Sequence, residues 1–216
     1  VEAAKEEVKI ILLKSYGDKA FCAGASFDEL LEINDLETSK KFFGGFAKVL
    51  NAMRTCGKIV VVRVQGKTTG GGVGIACAAD YCFATKDASL ALPELNLGIG
   101  PFVIGPFVER KIGKSEFIAM SLDTEFRDSN WAKENNIYHQ VFENISEMDE
   151  EIEKFTEKLA TKSTEALALI KKVSWEGTEH FEKLMPERIL MSASLLLEDS
   201  TKANIEKIKQ NLRKTN

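Results

Sequence analysis

The segment spanning residues 59–80, IVVVRVQGKTTGGGVGIACAAD, constrains the fold of this chain more than any other part of its sequence. Residues 59–64 are rich in β-branched side chains and predict a buried strand. Residues 73–79 carry mostly small side chains at helical spacing, and three consecutive glycines stand between the two elements. Because a glycine run costs conformational entropy on folding, it indicates a close approach to the backbone. A ligand that meets bare N–H groups at the positive end of a helix would explain it, and a plain strand-to-helix turn is the alternative.

In two further segments, a predicted strand is likewise followed by small residues or by a glycine-rich loop. Residues 8–14, VKIILLK, predict a strand, and the small residues of KAFCAGASF lead from it into an amphipathic helix. Later, LPELNLGI places a glutamate directly after a proline, between a short predicted strand and a glycine-rich loop. In this order, KAFCAGASF, VQGKTTGGGVGIACAAD and LPELNLGI resemble the signature segments of the enoyl-CoA hydratase/isomerase (crotonase) family. Three motifs in the right order and spacing are more specific than any one of them, and the resemblance covers nearly the whole chain.

The alternation of short strands and helices without long linkers predicts an α/β fold. The resemblance implies a crotonase-like spiral of strand–strand–helix units with a helical C-terminal region. Residues 1–145 are then the core, and residues 146–216, which are charge-rich and helical in pattern, form an oligomerisation and acyl-site region. Family members carry two strands and most of a helix before the position of Val1. These N-terminal strands are therefore expected to be missing here, and residues 1–6 are predicted to be the end of a helix.

Several helices are predicted from apolar spacing. Residues 35–54 predict a long amphipathic helix, whose phenylalanines belong to the core or to the wall of an acyl pocket. Gly44 and Gly45 inside it indicate close packing or a kink. Trp175 is assigned to the core. Further helices are predicted over residues 107–112, 115–122, 128–135, 147–162, 163–175, 187–197 and 202–212.

The resemblance also implies a catalytic site. The α-proton of a thioester is too weakly acidic for a side-chain base unless the enolate is stabilised as it forms, and losing one preorganised N–H donor typically costs ~10²–10³ in rate. By resemblance, these donors are the backbone N–H groups of Ala25 and Gly71, and Glu94 transfers the proton. The apolar neighbours of Glu94 predict a raised pKa, which suits proton exchange near neutrality. The alternative for Glu94 is a surface residue that caps a turn.

Gly74 bears on which reaction is catalysed. Hydratases of the resembled family carry a second catalytic glutamate two residues after the glycine triplet, and Gly74 has no side chain. A lone glutamate suits an isomerase, which removes a proton from C2 of a 3-enoyl-CoA and returns it to C4. The alternatives are an enoyl-CoA or methylglutaconyl-CoA-like hydratase with a non-standard second acid, and a non-catalytic acyl-CoA-binding scaffold. Dehalogenation is disfavoured, because that branch needs an aspartate where this chain has Pro101 and Phe102.

Substrate contacts are expected along the same motifs. By resemblance they are assigned to Ala23, Gly24, Ser26, Gly70, Gly72, Gly74 and Pro93. An aspartate is common in the family at the position of Ser26, which leaves the coenzyme A contacts there open. Coenzyme A enters as part of the acyl-CoA substrate, so no separate cofactor is expected. The resemblance further implies a homotrimer or a dimer of trimers.

Composition excludes several other classes. The formal net charge is −4 without a basic run, which argues against nucleic acid as the ligand. No apolar run reaches the ~18 residues of a membrane span and no signal peptide is evident, so a cytoplasmic protein without membrane contact is expected. Four cysteines without paired metal spacing and two histidines predict reduced thiols and no metal site. A dinucleotide fold is disfavoured, because GGGVG does not continue as G-x-G-x-x-G.

Overall fold

A computed structural model of the chain describes residues 7–215, and the helix end predicted at residues 1–6 lies outside the described residues. The strands are β1 (Ile10–Lys14), β2 (Ala20–Cys22), β3 (Ile59–Val64), β4 (Lys67–Thr69), β5 (Tyr81–Thr85), β6 (Ser89–Ala91), β7 (Arg127–Asp128) and β8 (Gln140–Phe142). The helices are α1 (Phe27–Glu32), α2 (Leu36–Thr55), α3 (Gly71–Ala78), α4 (Glu94–Leu97), α5 (Gly105–Asp123), α6 (Ser129–Glu134), α7 (Ile145–Ala160), α8 (Thr164–Ser174), α9 (Phe181–Leu196) and α10 (Asp199–Thr215).

The chain repeats a strand–strand–helix unit, and successive strands of each unit join different sheets. Within the described residues, one sheet has the order β1–β3–β5–β8 and is parallel throughout. The other has the order β2–β4–β6–β7, in which only β7 runs antiparallel to its neighbour. Helices α1 and α2 follow the first strand pair, α3 follows the second, and α4 and α5 follow the third. The predicted α/β spiral with a helical C-terminal region is confirmed.

The second sheet brings three distant segments of sequence together. Cys22 of β2 pairs with Thr68 of β4, and Thr69 pairs with Ala91 of β6. Because neighbouring parallel strands end at the same edge of a sheet, the segments that follow β2, β4 and β6 emerge side by side. These are the three segments that carry the sequence motifs.

Local signals place several elements correctly. All six residues of β3 are buried, as its run of β-branched residues predicts. The long helix is confirmed as α2, which continues through Gly44 and Gly45, and its N-terminus is capped by Asp35, whose carboxylate accepts a hydrogen bond from Thr38 N at 2.9 Å. Trp175 is 5% exposed and packs in the main core cluster, as predicted.

Other elements differ from the sequence prediction. Strands β2, β4, β7 and β8 are two or three residues long and carry little periodicity, so they were not predicted. The break predicted between the helices of residues 107–112 and 115–122 is confirmed at the non-helical Gly113, and the two helical parts together form α5. Helix α9 starts at Phe181 rather than residue 187 and contains Pro186. The ring of Phe181 packs edge-on against Phe107 at 5.2 Å, which anchors this earlier start.

The C-terminal helices pack against two different parts of the spiral. Met148 and Ile152 of α7 join β3 and β5 in one core cluster, while Leu196 and Ile205 join Leu30 of α1 in another. The boundary at residues 145 and 146 stays a prediction. Across residues 7–215, no helix combines the length and the apolar character that crossing a bilayer requires.

Candidate functional site

A cavity of about 370 Å³ lies at the edge where β2, β4 and β6 end. Its wall includes seven of the residues that the sequence assigns to the site, namely Ala23, Gly24, Ala25, Gly70, Gly71, Pro93 and Glu94. They come from the three segments that the parallel strand register places next to one another. The cavity therefore unites the predicted N–H donors and the predicted proton-transfer residue.

The two predicted N–H donors are free to bind a ligand. Neither Ala25 N–H nor Gly71 N–H has a hydrogen-bond acceptor among residues 7–215. Gly71 is the first residue of α3, so its N–H group lies at the positive end of that helix. Ala25 precedes Ser26, which caps α1 by accepting a hydrogen bond from Glu29 N at 3.4 Å. An anionic or polarised oxygen in the cavity would meet unpaired donors from two neighbouring loops.

The carboxyl group of Glu94 is enclosed by its surroundings. Glu94 is the first residue of α4, and its Oε2 atom is buried without a hydrogen-bond partner in the described part of the chain. Burial raises the pKa of Glu94 from 4.5 to about 7. Among the described residues of the cavity wall, Glu94 is the sole acidic or basic one. The site therefore offers one group that can gain and lose a proton near neutral pH.

The position of the Glu94 carboxylate favours a residue without a side chain at position 70, and this residue is Gly70. Its φ of +53° lies in the left-handed region, which side chains disfavour. A Cβ atom at Gly70 would also lie 2.9 Å from Glu94 Oε1. The first glycine of the triplet thus permits both the turn into α3 and the close approach of Glu94.

The remaining predicted contacts lie outside the cavity wall. A Cβ atom at Gly72 would approach Cys22 Cβ to 2.5 Å, and one at Gly74 would approach Ile104 Cγ2 to 2.6 Å. These glycines are needed for the packing of α3 against β2 and against the segment before α5. Ser26 is the cap of α1 and is also absent from the wall. Their assignment to substrate binding stays a prediction without a direct contact to the cavity.

Gly72→Ala is expected to lower the free energy of unfolding by about 1–3 kcal/mol, because the added methyl group meets Cys22 and Thr68, whose backbones are fixed by adjacent strands. Urea unfolding measures the change. Gly45→Ala is the matched control: a Cβ atom there has no neighbour within 4 Å, so the substitution should stabilise α2 by about 1 kcal/mol. Equal effects of the two substitutions would contradict this steric assignment.

Most of the rest of the wall is apolar and includes several phenylalanines. Phe42, Phe43 and Phe46 of α2 line the cavity, as one of the two sequence interpretations proposed, and Phe102 joins them from the loop before α5. A Cβ atom at Gly71 would meet the tip of Phe46 at 2.9 Å, so this ring packs directly against Gly71.

Two wall residues come from the C-terminal helices and were missed by sequence reasoning. They are Ser192 of α9 and Ile208 of α10. No local pattern distinguishes them, because their position depends on how these helices fold back over the spiral. Trp175, which the sequence assigns to the core, and Phe181 both pack in the main core cluster.

Comparisons with known proteins agree on the relationship. The family described as "Enoyl-CoA hydratase/isomerase" matches residues 2–209. The human mitochondrial 3-hydroxyisobutyryl-CoA hydrolase is 34% identical over 122 residues, which are 53% of this chain and 31% of that protein. The short-chain-enoyl-CoA hydratase of Clostridium acetobutylicum is 38% identical over 96 residues, which are 44% of this chain and 36% of that protein. The matched part thus spans about a third of each of these relatives.

The same fold occurs in a solved structure whose sequence is only distantly similar to that of this chain. The crystal structure of an enoyl-CoA hydratase from Bacillus halodurans has a TM-score of 0.88, covering 95% of this chain and 84% of that one at 20% identity. At this identity the likeness concerns the fold alone.

Proposed function

This chain belongs to the enoyl-CoA hydratase/isomerase family, and we propose that it moves the double bond of a 3-enoyl-CoA thioester to the 2 position. The observation that carries the proposal is the single titratable side chain of a mostly apolar cavity wall, the carboxylate of Glu94, beside two unpaired backbone N–H groups. One titratable group is sufficient for isomerisation, because the proton that leaves one carbon is the proton that the next carbon receives.

In the proposed reaction, the thioester oxygen accepts hydrogen bonds from Ala25 N–H and Gly71 N–H. The carboxylate of Glu94 removes a proton from C2, and the electron pair of that C–H bond delocalises into a dienolate whose charge rests on the thioester oxygen. Glu94 then returns the proton to C4, the double bond moves between C2 and C3, and the carboxylate is regenerated. The donors stabilise the dienolate most at the point where its charge is fully developed.

The raised pKa of Glu94 supports this role. A base is most effective when its pKa lies near the working pH, and burial brings the pKa of Glu94 to about 7. The mostly apolar wall offers water few hydrogen-bond partners, which favours proton return over addition of water.

Hydration remains a weaker proposal on the same residues. Addition of water needs one group to activate water and another to deliver a proton. Gly74 contributes no side chain, and the space beside it is filled by Ile104, which is itself on the cavity wall. A hydratase would therefore need its second acid from outside the described cavity wall.

Hydrolysis of an acyl-CoA thioester is the second candidate, because several of the matching relatives are named 3-hydroxyisobutyryl-CoA hydrolases. The same N–H donors would stabilise the tetrahedral oxyanion, and Glu94 would activate water. This reaction requires a water molecule beside the thioester carbon, in a part of the cavity that is mostly apolar.

Assays of the purified protein with 3-hexenoyl-CoA, 2-hexenoyl-CoA and 3-hydroxyisobutyryl-CoA separate these reactions. We expect nuclear magnetic resonance spectra to show conversion of 3-hexenoyl-CoA to the 2-enoyl isomer, with less hydration and less release of free thiol. Faster hydration or faster thiol release would reject isomerisation as the main activity. Binding without turnover of any of the three would favour the acyl-CoA-binding scaffold. Light scattering tests the expected trimer independently.

A further inference from the structure

A second cavity, of about 360 Å³, shares no wall residue with the first. It lies where β5 begins and is bordered by residues of α5, α7 and α8. Its charged wall residues are Asp80, Arg110, Lys111 and Lys171. This composition gives three cations and one anion, so the charges inside the cavity are not balanced.

The one carboxylate of the described wall is fully engaged by other groups. Asp80 Oδ2 accepts hydrogen bonds from Lys171 Nζ at 2.8 Å and from Val60 N at 2.7 Å, and Asp80 Oδ1 accepts one from Trp175 Nε1 at 3.2 Å. Lys171 Nζ also donates to Lys58 O at 2.7 Å. Asp80 and Lys171 therefore neutralise each other and leave Arg110 and Lys111 without a counter-charge on the wall.

Lys111 and Arg110 retain unused donors. The ammonium group of half-buried Lys111 has no hydrogen-bond acceptor among residues 7–215, although its burial makes an unpaired charge unfavourable. The Arg110 guanidinium lies 4.0 Å above the Trp175 ring and donates from one nitrogen to Ser174 O, which leaves its other nitrogens available.

The thiols near Lys111 do not compensate its charge. Cys77 and Cys82 are fully buried, and burial raises the pKa of Cys77 to about 12 and that of Cys82 further still. Both are therefore uncharged thiols at neutral pH. Burial also lowers the pKa of nearby His139 to about 4, so this side chain is neutral as well. Cys77, Cys82 and His139 therefore supply no negative charge that could balance Lys111 and Arg110.

The remaining wall is mostly apolar, although Tyr81 and Ser174 also contribute to it. Its apolar residues include Ile59, Phe155, Leu159, Leu167 and Ile170. Inorganic phosphate would satisfy the cations but would place charged oxygen atoms against these side chains. A ligand with an anionic head and an aliphatic body would match both parts of the wall.

We propose that this second cavity binds an aliphatic carboxylate, with its carboxylate held by Lys111 and Arg110 and its chain against the apolar wall. The proposed ligand site is separate from the acyl-CoA site and does not depend on which reaction that site catalyses.

The fluorescence of Trp175 provides a direct test, because Trp175 lies on the wall of the second cavity and not on that of the first. In a Trp131→Phe background, Trp175 is the remaining tryptophan of this chain. We expect sodium octanoate to change its emission saturably, while octanol and inorganic phosphate at equal concentration do not. No saturable change with octanoate, or an equal response to phosphate, would overturn the proposal.

Lys111→Met should weaken octanoate binding by about tenfold or more, because the unpaired ammonium group is the main source of attraction. Lys114→Met is the matched control on the same helix, since Lys114 is exposed and absent from the wall. Arg110→Gln supplies a second test at an exposed position should Lys111→Met fail to fold. Unchanged octanoate affinity in a folded variant at either wall residue would contradict the assignment.

Discussion

Glu94→Gln is expected to lower kcat/KM for 3-enoyl-CoA by about 10²–10⁴-fold, because an amide cannot take up the proton from C2. The substitution keeps the size and shape of the side chain, so the cavity and the approach to Gly70 are preserved. The unpaired N–H groups of Ala25 and Gly71 are also unaffected. Binding of a non-reactive acyl-CoA, measured by calorimetry, should therefore change much less than turnover.

Glu134→Gln is the control for this experiment, since Glu134 is exposed and is not on the cavity wall. Its turnover should equal that of the unsubstituted protein. If Glu94→Gln also retains full turnover, Glu94 is not the proton-transfer group and the proposed mechanism fails.

The pKa of Glu94 gives this prediction a pH dependence. The base must be ionised, so kcat/KM should rise with pH and level off above about pH 7, following the pKa of about 7. The folded state binds this proton more tightly than the unfolded state, whose ordinary value is 4.5. The raised pKa of Glu94 therefore contributes to the stability of the folded state. This contribution is fully present below pH 4.5 and is lost as the pH rises through 7.

Because glutamine does not ionise, Glu94→Gln removes the loss of stability that accompanies deprotonation of Glu94. At pH 8 the substituted protein should be more stable than the unsubstituted one by up to about 3 kcal/mol, and the difference should vanish at about pH 4. Urea unfolding at the two pH values measures the effect. A stability difference that does not vary with pH would contradict the burial of this carboxyl group.

Asp80→Ala is expected to lower the free energy of unfolding by about 3–5 kcal/mol, because it leaves the ammonium group of Lys171 buried without its counter-ion. The Lys171 side chain is 2% exposed and that of Asp80 is 12% exposed. The substitution also removes the acceptor for Trp175 Nε1 and Val60 N. Such a loss is a large part of the ~5–15 kcal/mol that stabilises a typical domain.

Urea unfolding of Asp80→Ala and of Glu143→Ala compares a buried ion pair with an exposed one. The Lys86–Glu143 pair has side chains that are 61% and 70% exposed, so solvent screens it and its loss should cost much less than the loss of the buried pair. Adding Lys171→Met to Asp80→Ala should recover part of the loss, since no buried charge then remains unpaired. A cost for Asp80→Ala no greater than that for Glu143→Ala would disprove the structural role of the buried pair.

The sequence by itself determined the elements whose signals are local. The β-branched run specified β3, apolar spacing specified α2, and the side chain of Asp35 fixed where that helix begins. The glycine triplet marked the start of α3, and the three motifs in order identified the family and hence the spiral. These features depend on residues close together in the chain, so a linear reading can recover them.

Only the tertiary structure decided which residues share the cavity. Strands β2 and β4 are three residues long and carry little pattern, yet their register brings Ala25 and Gly71 to one wall. The enclosure of Glu94, the fit of Gly74 against Ile104, and the arrival of Ile208 from α10 likewise arise from elements far apart in sequence. A local pattern states what one element prefers, whereas a cavity is defined by the surfaces that several elements present to each other after packing.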